Sequence, residues 1–147
     1  MLIRNILEES VRKFDEVKAV KWLKKKEIME RSYGELMENV VSTRKGLLAE
    51  GFEGKNIALI GTSSVEWMES YLGIITGCTT AVPLDAALPC EDLIDLLNRS
   101  DSVALFLSPK LKPYLDAFLE NCPKLQKVWM LQEEVEDAPA KVYGIGE

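Results

Sequence analysis

The chain has 147 residues, of which 47% are apolar and 29% charged, and this is the composition of a globular protein with one hydrophobic core. Its 24 acidic and 18 basic residues give a net charge of −6, which disfavours binding to a polyanion such as nucleic acid. The sequence contains no histidine, and this excludes Ser-His-Asp and Cys-His catalysis and removes the commonest zinc ligand.

Residues 2–14 carry apolar side chains at helical spacing, which predicts an amphipathic N-terminal helix. Residues 18–31 follow with two short apolar runs around a polar turn at 24–26, a pattern typical of a β-hairpin. Five lysines and one tryptophan lie in its first strand and turn. We interpret them as solubilising an exposed sheet edge, because a surface for single-stranded nucleic acid needs more aromatic side chains.

A longer helix is predicted from residue 32 to residue 50. Ser32 and Glu35 have the spacing of a capping box, in which each side chain bonds to the backbone amide of the other residue. Gly51 followed by Phe52 supplies a left-handed stop and an apolar residue that folds back on the last turn.

The remainder of the chain alternates strands and helices. Buried strands are predicted at 56–60, 79–83, 103–107 and 127–131, with one helix in each gap. Together with right-handed crossovers, this alternation predicts an α/β fold: an open, mainly parallel doubly wound sheet preceded by the N-terminal helix and the β-hairpin. Residues 1–132 are therefore predicted to form one α/β subdomain, and residues 133–147, which lose the periodicity, a linker or truncated end.

Two of these helices have predicted caps. The first helix is predicted to begin in a second capping box from Ser63 to Glu66. Ser108 and Pro109 are expected to cap the third helix and to occupy its first position. The face of the first helix that should be buried consists of Met68, Tyr71, Leu72 and Ile75.

Ligands of open α/β sheets bind beyond the carboxyl ends of the strands, so the turn after the first parallel strand is the place to look for a site. Thr62, Ser63 and Ser64 there could offer hydroxyls and free amides to an anion, but the turn lacks both G-x-G-x-x-G and the P-loop lysine. Ordinary helix capping is the favoured interpretation, because it explains the serines by itself. These three residues are the weak candidates for cofactor binding.

Other polar residues suggest structural roles. Asp85 follows a predicted strand without a second acid beside it, so we expect it to organise the next turn. Cys90 lies in a first helical turn, but the acids that follow it oppose a reactive thiolate. Cys78 and Cys122 are expected to be small buried residues. No catalytic residue and no metal site can be assembled from this set.

The cysteine count and the hydropathy indicate the compartment. Three cysteines without C-x-x-C spacing predict neither a disulfide framework nor a thiolate metal site, which fits a reducing cytoplasm. The longest uncharged stretch, 70–84, is too short for a bilayer, and the N-terminus lacks an apolar signal segment. Neither a transmembrane segment nor an export signal is predicted.

Two segments, correctly ordered and spaced, resemble the N-terminal part of the adenylate-forming (AMP-forming) acyl-CoA synthetases. The segment 31–36, Arg-Ser-Tyr-Gly-Glu-Leu, is similar to the Ser/Thr-Tyr-x-Glu-Leu motif that opens a long helix in that family. The segment 76–85 is similar to the family's turn that leads into Val-Pro-Leu/Ile-Asp. Between them, the strand 56–60 and the pair Glu66-Trp67 also resemble family features.

The resemblance implies an enzyme that activates a carboxylic acid with ATP, Mg2+ and coenzyme A, by way of an acyl-adenylate. It suggests the long-chain fatty acid branch. The family's phosphate-binding loop, its ATP-holding residues and its lid lysine are expected outside these 147 residues, so no catalytic residue is carried over and the 147 residues alone should be inactive and bind no cofactor. The implied partners are the remainder of the enzyme chain and a small carboxylic acid, and an unpaired sheet edge makes a homodimer an expectation.

Two positions depart from the family pattern. Ser63 or its neighbour stands where the family often has asparagine, and Cys78 stands where it often has glycine, which suggests a packing substitution at Cys78. A second interpretation also stands: a self-sufficient flavodoxin-like binding or interaction module that uses residues 61–64 for a phosphate-bearing ligand.

Overall fold

The computed structural model describes residues 2–132 and 142–145. In chain order the elements are α1 Ile3–Phe14, β1 Lys18–Lys24, β2 Glu27–Ser32, α2 Tyr33–Ala49, β3 Asn56–Ile60, α3 Val65–Thr76, β4 Thr80–Leu84, α4 Cys90–Arg99, β5 Ala104–Leu107, a 3-10 turn Pro109–Tyr114, α5 Leu115–Asn121, β6 Lys127–Leu131 and β7 Val142–Ile145.

The main sheet has the strand order β4-β3-β5-β6-β7, and every described pair in it is parallel. The order reverses at β3, because the chain proceeds from β3 to β4 at one edge and then returns to add β5, β6 and β7 on the other side. This is a doubly wound sheet, so the predicted fold class is confirmed, and the switch point lies between β3 and β5.

Alternate residues of the strands supply two cores, one on each face of the sheet. Ala58, Leu105 and Val128 face α4 and α5, in a cluster with Leu93 and Phe118. The intervening strand residues face α2 and α3 on the opposite side of the sheet; they include Ile57, Leu59 and Phe106, in a cluster with Leu47 and Ile74. Central strands that are buried on both faces have continuous apolar sequences. For this reason their bounds could be predicted from the sequence to within about one residue.

The local signals at both ends of α2 are confirmed. The Ser32 side chain accepts a hydrogen bond from the Glu35 amide at 3.1 Å, and the Ser32 amide donates to the Glu35 carboxylate at 2.7 Å. This second bond lowers the pKa of Glu35. At the other end, Gly51 has a φ of 75°, and the amide of the buried Phe52 donates to the Leu47 carbonyl at 3.1 Å. That is the hydrogen-bond pattern of a Schellman motif.

Two predictions about α3, its N-cap and its buried face, are wrong, and Ser108 differs from its prediction in one hydrogen bond. Ser64, not Ser63, is the N-cap of α3, and it accepts from the Trp67 amide at 3.1 Å. Ser108 is the N-cap and Pro109 the first residue of the 3-10 turn, as predicted, but the Ser108 hydroxyl makes no capping bond because it accepts from the Thr62 amide. The predicted inner face of α3 (Met68, Tyr71, Leu72, Ile75) is only partly buried, while Glu69, Ser70, Gly73 and Ile74 are buried. Glycine and serine lie inward because α2 packs closely there.

Two further differences concern Cys78 and the end of the chain. Cys78 is exposed, so the predictions that it is buried and that it is a packing substitution are wrong. Cys122 is buried, as predicted. Burial raises the pKa of the Cys122 thiol, as expected for an unreactive cysteine.

Within the predicted linker, residues 142–145 form β7 beside β6; residues 133–141 and 146–147 lie outside the described part of the chain. None of the described helices is both long enough and apolar enough to cross a bilayer.

Candidate functional site

The turn after β3 lies at the switch point of the sheet, where the sequence placed its candidate site. The Ser108 amide donates to the Ile60 carbonyl at 3.0 Å, and its hydroxyl accepts from the Thr62 amide at 3.2 Å. A β-carbon on Gly61 would collide with the Ser108 hydroxyl and lie 3.2 Å from Trp67 Cδ1. The turn therefore packs directly on the end of β5, and glycine is required by this close approach.

The hydrogen bonds of this turn are largely internal. The Thr62 amide is used by Ser108, and the Trp67 amide by the Ser64 hydroxyl, while the side chains of Thr62 and Ser63 are exposed. Glu66 adds a carboxylate to the first turn of α3, and an acid there opposes a bound anion. Among the described residues no group of three or more acids and cysteines could hold a metal ion. This turn therefore does not fit the ATP phosphates with Mg2+.

The other candidates have structural contacts. Asp85 accepts a hydrogen bond from the Ala87 amide at 2.9 Å, which confirms its role in the turn after β4. Cys90 is partly buried at the start of α4. Gln132 follows β6 with a φ of 65°, and its amide donates to Glu66 at 2.8 Å, which connects the ends of β6 and α3.

A second concave feature was not predicted from the sequence. It is a groove of about 530 Å³ between the hairpin, α2, α3 and the adjacent face of the sheet, and we call it the hairpin groove. Its lining includes Trp22, Arg31, Glu69, Phe106 and Trp129. Phe106 and Trp129 are register partners on β5 and β6, and their rings stack with centroids 4.9 Å apart.

Glu69 is the most perturbed acid among the described residues. Its side chain is 5% exposed, and its two carboxylate oxygens lie 3.1 and 3.2 Å from Arg31 Nη1. Burial raises the pKa of Glu69 to about 7; Arg31 and Asn39 lower it in part, and Glu66 adds to the increase. The Glu69 Oε1 atom accepts no hydrogen bond. Oε1 is nonetheless ion-paired with Arg31, and a buried acid whose pKa is strongly raised is a candidate functional group.

Sequence reasoning missed this pair because nothing local marks it. Arg31 lies 38 positions before Glu69, at the end of the hairpin. Glu69 lies between Met68 and Ser70 of α3, outside the face that helical periodicity had predicted to be buried. A charged residue at the centre of an otherwise small and apolar helix face is the signal that could have located it.

Fold and topology together define a doubly wound α/β domain. The family model of the AMP-binding enzymes matches residues 7–144, so the chain belongs to the AMP-binding enzyme family. A search among curated proteins found no match.

Solved structures share the fold. Coronafacic acid ligase from Pectobacterium brasiliense superposes with a TM-score of 0.85 at 20% identity over 98% of this chain. The anthranilate CoA ligase AuaEII, in complex with anthranoyl-AMP, gives 0.78 at 18% identity over 88% of it. A protein described as a long-chain-fatty-acid CoA ligase from Rhodopseudomonas palustris gives 0.81 at 11% identity over 98% of it. The chain spans 28%, 25% and 35% of these three structures, respectively.

Proposed function

We propose that the chain is the N-terminal portion of an ATP-dependent acyl-CoA synthetase. The whole enzyme would activate a carboxylic acid, with a fatty acid as the proposed substrate, as an acyl-adenylate and transfer the acyl group to coenzyme A. The observation that carries the proposal is the family match over residues 7–144, joined to a fold shared with two CoA ligases and with coronafacic acid ligase.

In this proposal the described residues are scaffold. The switch-point turn uses its amides to hold β5 and α3 together, so it positions the sheet without binding the nucleotide. ATP, Mg2+, coenzyme A and the acid would bind to other parts of the enzyme, which are also the proposed partner of this surface. A cytoplasmic location and a subdomain boundary at residue 132 belong to the same proposal.

Activity measurements on two polypeptides test it. The 147-residue chain, given ATP, coenzyme A and palmitate, is expected to form no palmitoyl-CoA, whereas the product of the whole reading frame forms it. The codons after Glu147 are expected to encode a Gly-rich Thr/Ser loop that ends in lysine. Turnover by the 147 residues alone would refute the scaffold role, and a longer product that activates anthranilate but not palmitate would refute only the fatty-acid assignment.

The strand order favours one alternative, a flavodoxin-like binding module. Counted within the main sheet, β4-β3-β5-β6-β7 is the order 2-1-3-4-5 of that fold, whose ligand binds at the switch point. Calorimetric titration with FMN and AMP tests this function. Saturable heat that is lost on replacing Thr62 and Ser63 with alanine would support the module, and no heat with either ligand would refute it.

A further inference from the structure

The β-hairpin concentrates positive charge on a chain whose net charge is negative. Residues 18–31 contain six basic and two acidic residues, a local net charge of +4, whereas the other 133 residues contain 12 basic and 22 acidic ones. We propose that the hairpin docks this protein on a membrane surface that carries anionic lipids. The docking element is residues 23–28, which we call the hairpin tip, and it would lie in the headgroup region without crossing the bilayer.

The turn at the centre of the hairpin tip is made of two lysines. Lys25 and Lys26 have φ angles of 48° and 69°, so both are in the left-handed region. A two-residue hairpin turn with this geometry is of type I′, which favours Asn-Gly, and lysine is an unfavourable choice at either position. The turn therefore carries two charges that its own backbone geometry does not explain.

The acids of the hairpin compensate the lysines of the strands. Glu30 lies 3.3 Å from Lys21 Nζ and 3.8 Å from Lys18 Nζ, and Glu27 is the register partner of Lys24. The lysines of the turn, in contrast, are exposed at the far end of the hairpin. Each lysine close to an anionic lipid surface strengthens binding about fivefold, so the two together give a substantial attraction.

Two exposed aliphatic side chains flank the turn. Leu23 and Ile28 are register partners on β1 and β2, and their exposed fractions are 74% and 70%. Partners in an antiparallel pair lie on the same face, so these side chains stand side by side next to the lysines. At a membrane surface the aliphatic groups would enter between the headgroups, while the long lysine side chains reach the lipid phosphates.

The composition of the hairpin tip favours lipid over other partners. A surface for single-stranded nucleic acid stacks bases on aromatic rings, and residues 23–28 contain none. A second copy of the chain would bring like charges together. A stable protein interface buries about 800 Å² on each side, more than a turn with one aliphatic pair offers. A lipid surface accepts a small wedge of this kind because its headgroups rearrange around it.

Vesicle flotation tests the proposal on the product of the whole reading frame and, in parallel, on the 147-residue chain. The vesicles consist of phosphatidylcholine alone or of phosphatidylcholine with about 30% phosphatidylglycerol, which supplies the negative surface potential. Both polypeptides are expected to float with the anionic vesicles and to stay at the bottom with the neutral ones. Raising the salt from about 0.1 M to about 0.5 M should release them, because it shortens the Debye length.

One double variant removes the charge of the turn without disturbing its backbone. Lys25→Asn combined with Lys26→Gly places the favoured residues in the type I′ turn, so the hairpin should fold at least as well as in wild type. Binding to anionic vesicles is expected to weaken about 30-fold. The control is Lys55→Gln combined with Lys110→Gln, which removes two exposed lysines outside the hairpin. It changes the net charge equally and should weaken binding less than about threefold.

A second double variant removes the aliphatic pair. Leu23→Thr combined with Ile28→Thr keeps a high β-propensity and should weaken binding to anionic vesicles about tenfold, since less apolar surface leaves water. Leu48→Gln is the control, because Leu48 is an aliphatic residue of α2 that is 45% exposed outside the hairpin. Its affinity should stay within about twofold of wild type.

Four results would overturn the proposal. The first is no flotation with anionic vesicles, and the second is undiminished binding by the variant that lacks the turn lysines. The third is undiminished binding by the variant that lacks the aliphatic pair, which would indicate a site for any polyanion. The fourth is flotation of the 147-residue chain but not of the longer product, because another part of the enzyme would then cover the hairpin tip.

Discussion

Burial of Glu69 should make the stability of this protein depend on pH between 5 and 8. The ordinary pKa of the group is 4.5, and in the fold it rises to about 7. Between these values the folded chain retains a proton that the unfolded chain has released. The stabilisation from this group is therefore fully present below pH 4.5 and is lost as the pH rises through 7.

The size of the effect follows from the shift in pKa. One unit corresponds to 1.36 kcal/mol, so unfolding should cost about 2 to 3 kcal/mol less at pH 8 than at pH 5. Little of this is lost to solvent screening, because the Glu69 side chain is 5% exposed. Urea unfolding, followed by tryptophan fluorescence at the two pH values, measures the difference.

The variant Glu69→Gln resembles the protonated acid and should remove this pH dependence. Its free energy of unfolding is expected to match wild type near pH 5 and to exceed it near pH 8 by about 2 kcal/mol. Glu66→Gln, on the same helix but with its carboxylate bonded to Gln132, is the control; it removes only the small increase that Glu66 adds to the pKa of Glu69 and should keep most of the wild-type slope. Equal stability of the wild-type chain at pH 5 and pH 8, or a slope that survives in Glu69→Gln, would refute this account of the buried acid.

Three substitutions test the packing described above, each by urea unfolding. Ser32→Ala removes the cap of α2 and should cost about 1 kcal/mol; an unchanged midpoint would argue against the capping box. Gly61→Ala places a methyl group against the Ser108 hydroxyl and should cost about 1 to 3 kcal/mol, with partial recovery in a double variant that also has Ser108→Gly. Gly73→Ala should destabilise by a similar amount because its β-carbon would lie 2.6 Å from a side chain of α2, whereas Gly46→Ala, with open space around it, should stabilise by about 0.5 to 1 kcal/mol. Effects of the same sign at both glycines would contradict the helix contact.

Local chemistry was sufficient for several elements. The capping box at Ser32 and the stop at Gly51 depend on residues within a few positions of each other, and both are present as predicted. The strands β3 and β6 are apolar on both faces, and their bounds match the prediction residue for residue. The turn after β3 was also located correctly, because it follows a strand whose bounds were predicted correctly.

Predictions failed where a distant element determines the environment. Helical periodicity oriented α3 by its largest apolar residues, but close packing against α2 buries its small residues instead. Ser108 is at the N-cap position that its local sequence predicts, yet its hydroxyl accepts from the Thr62 amide of the neighbouring turn instead of capping the helix. The strand β7 lacks a sequence signal, since it is a short run that gains its hydrogen bonds from β6.

The sequence by itself determined the order of the elements, the class of fold and the family, because these depend on periodicity, caps and short motifs that one stretch of chain contains. The tertiary structure alone decided which polar groups are buried together. Arg31 and Glu69 are paired, and the hairpin groove exists, only because the hairpin returns over α3 beside the stacked rings of β5 and β6. The pKa of Glu69 is raised by burial. Burial depends on all the surrounding elements together, so it cannot be predicted from any single stretch of sequence.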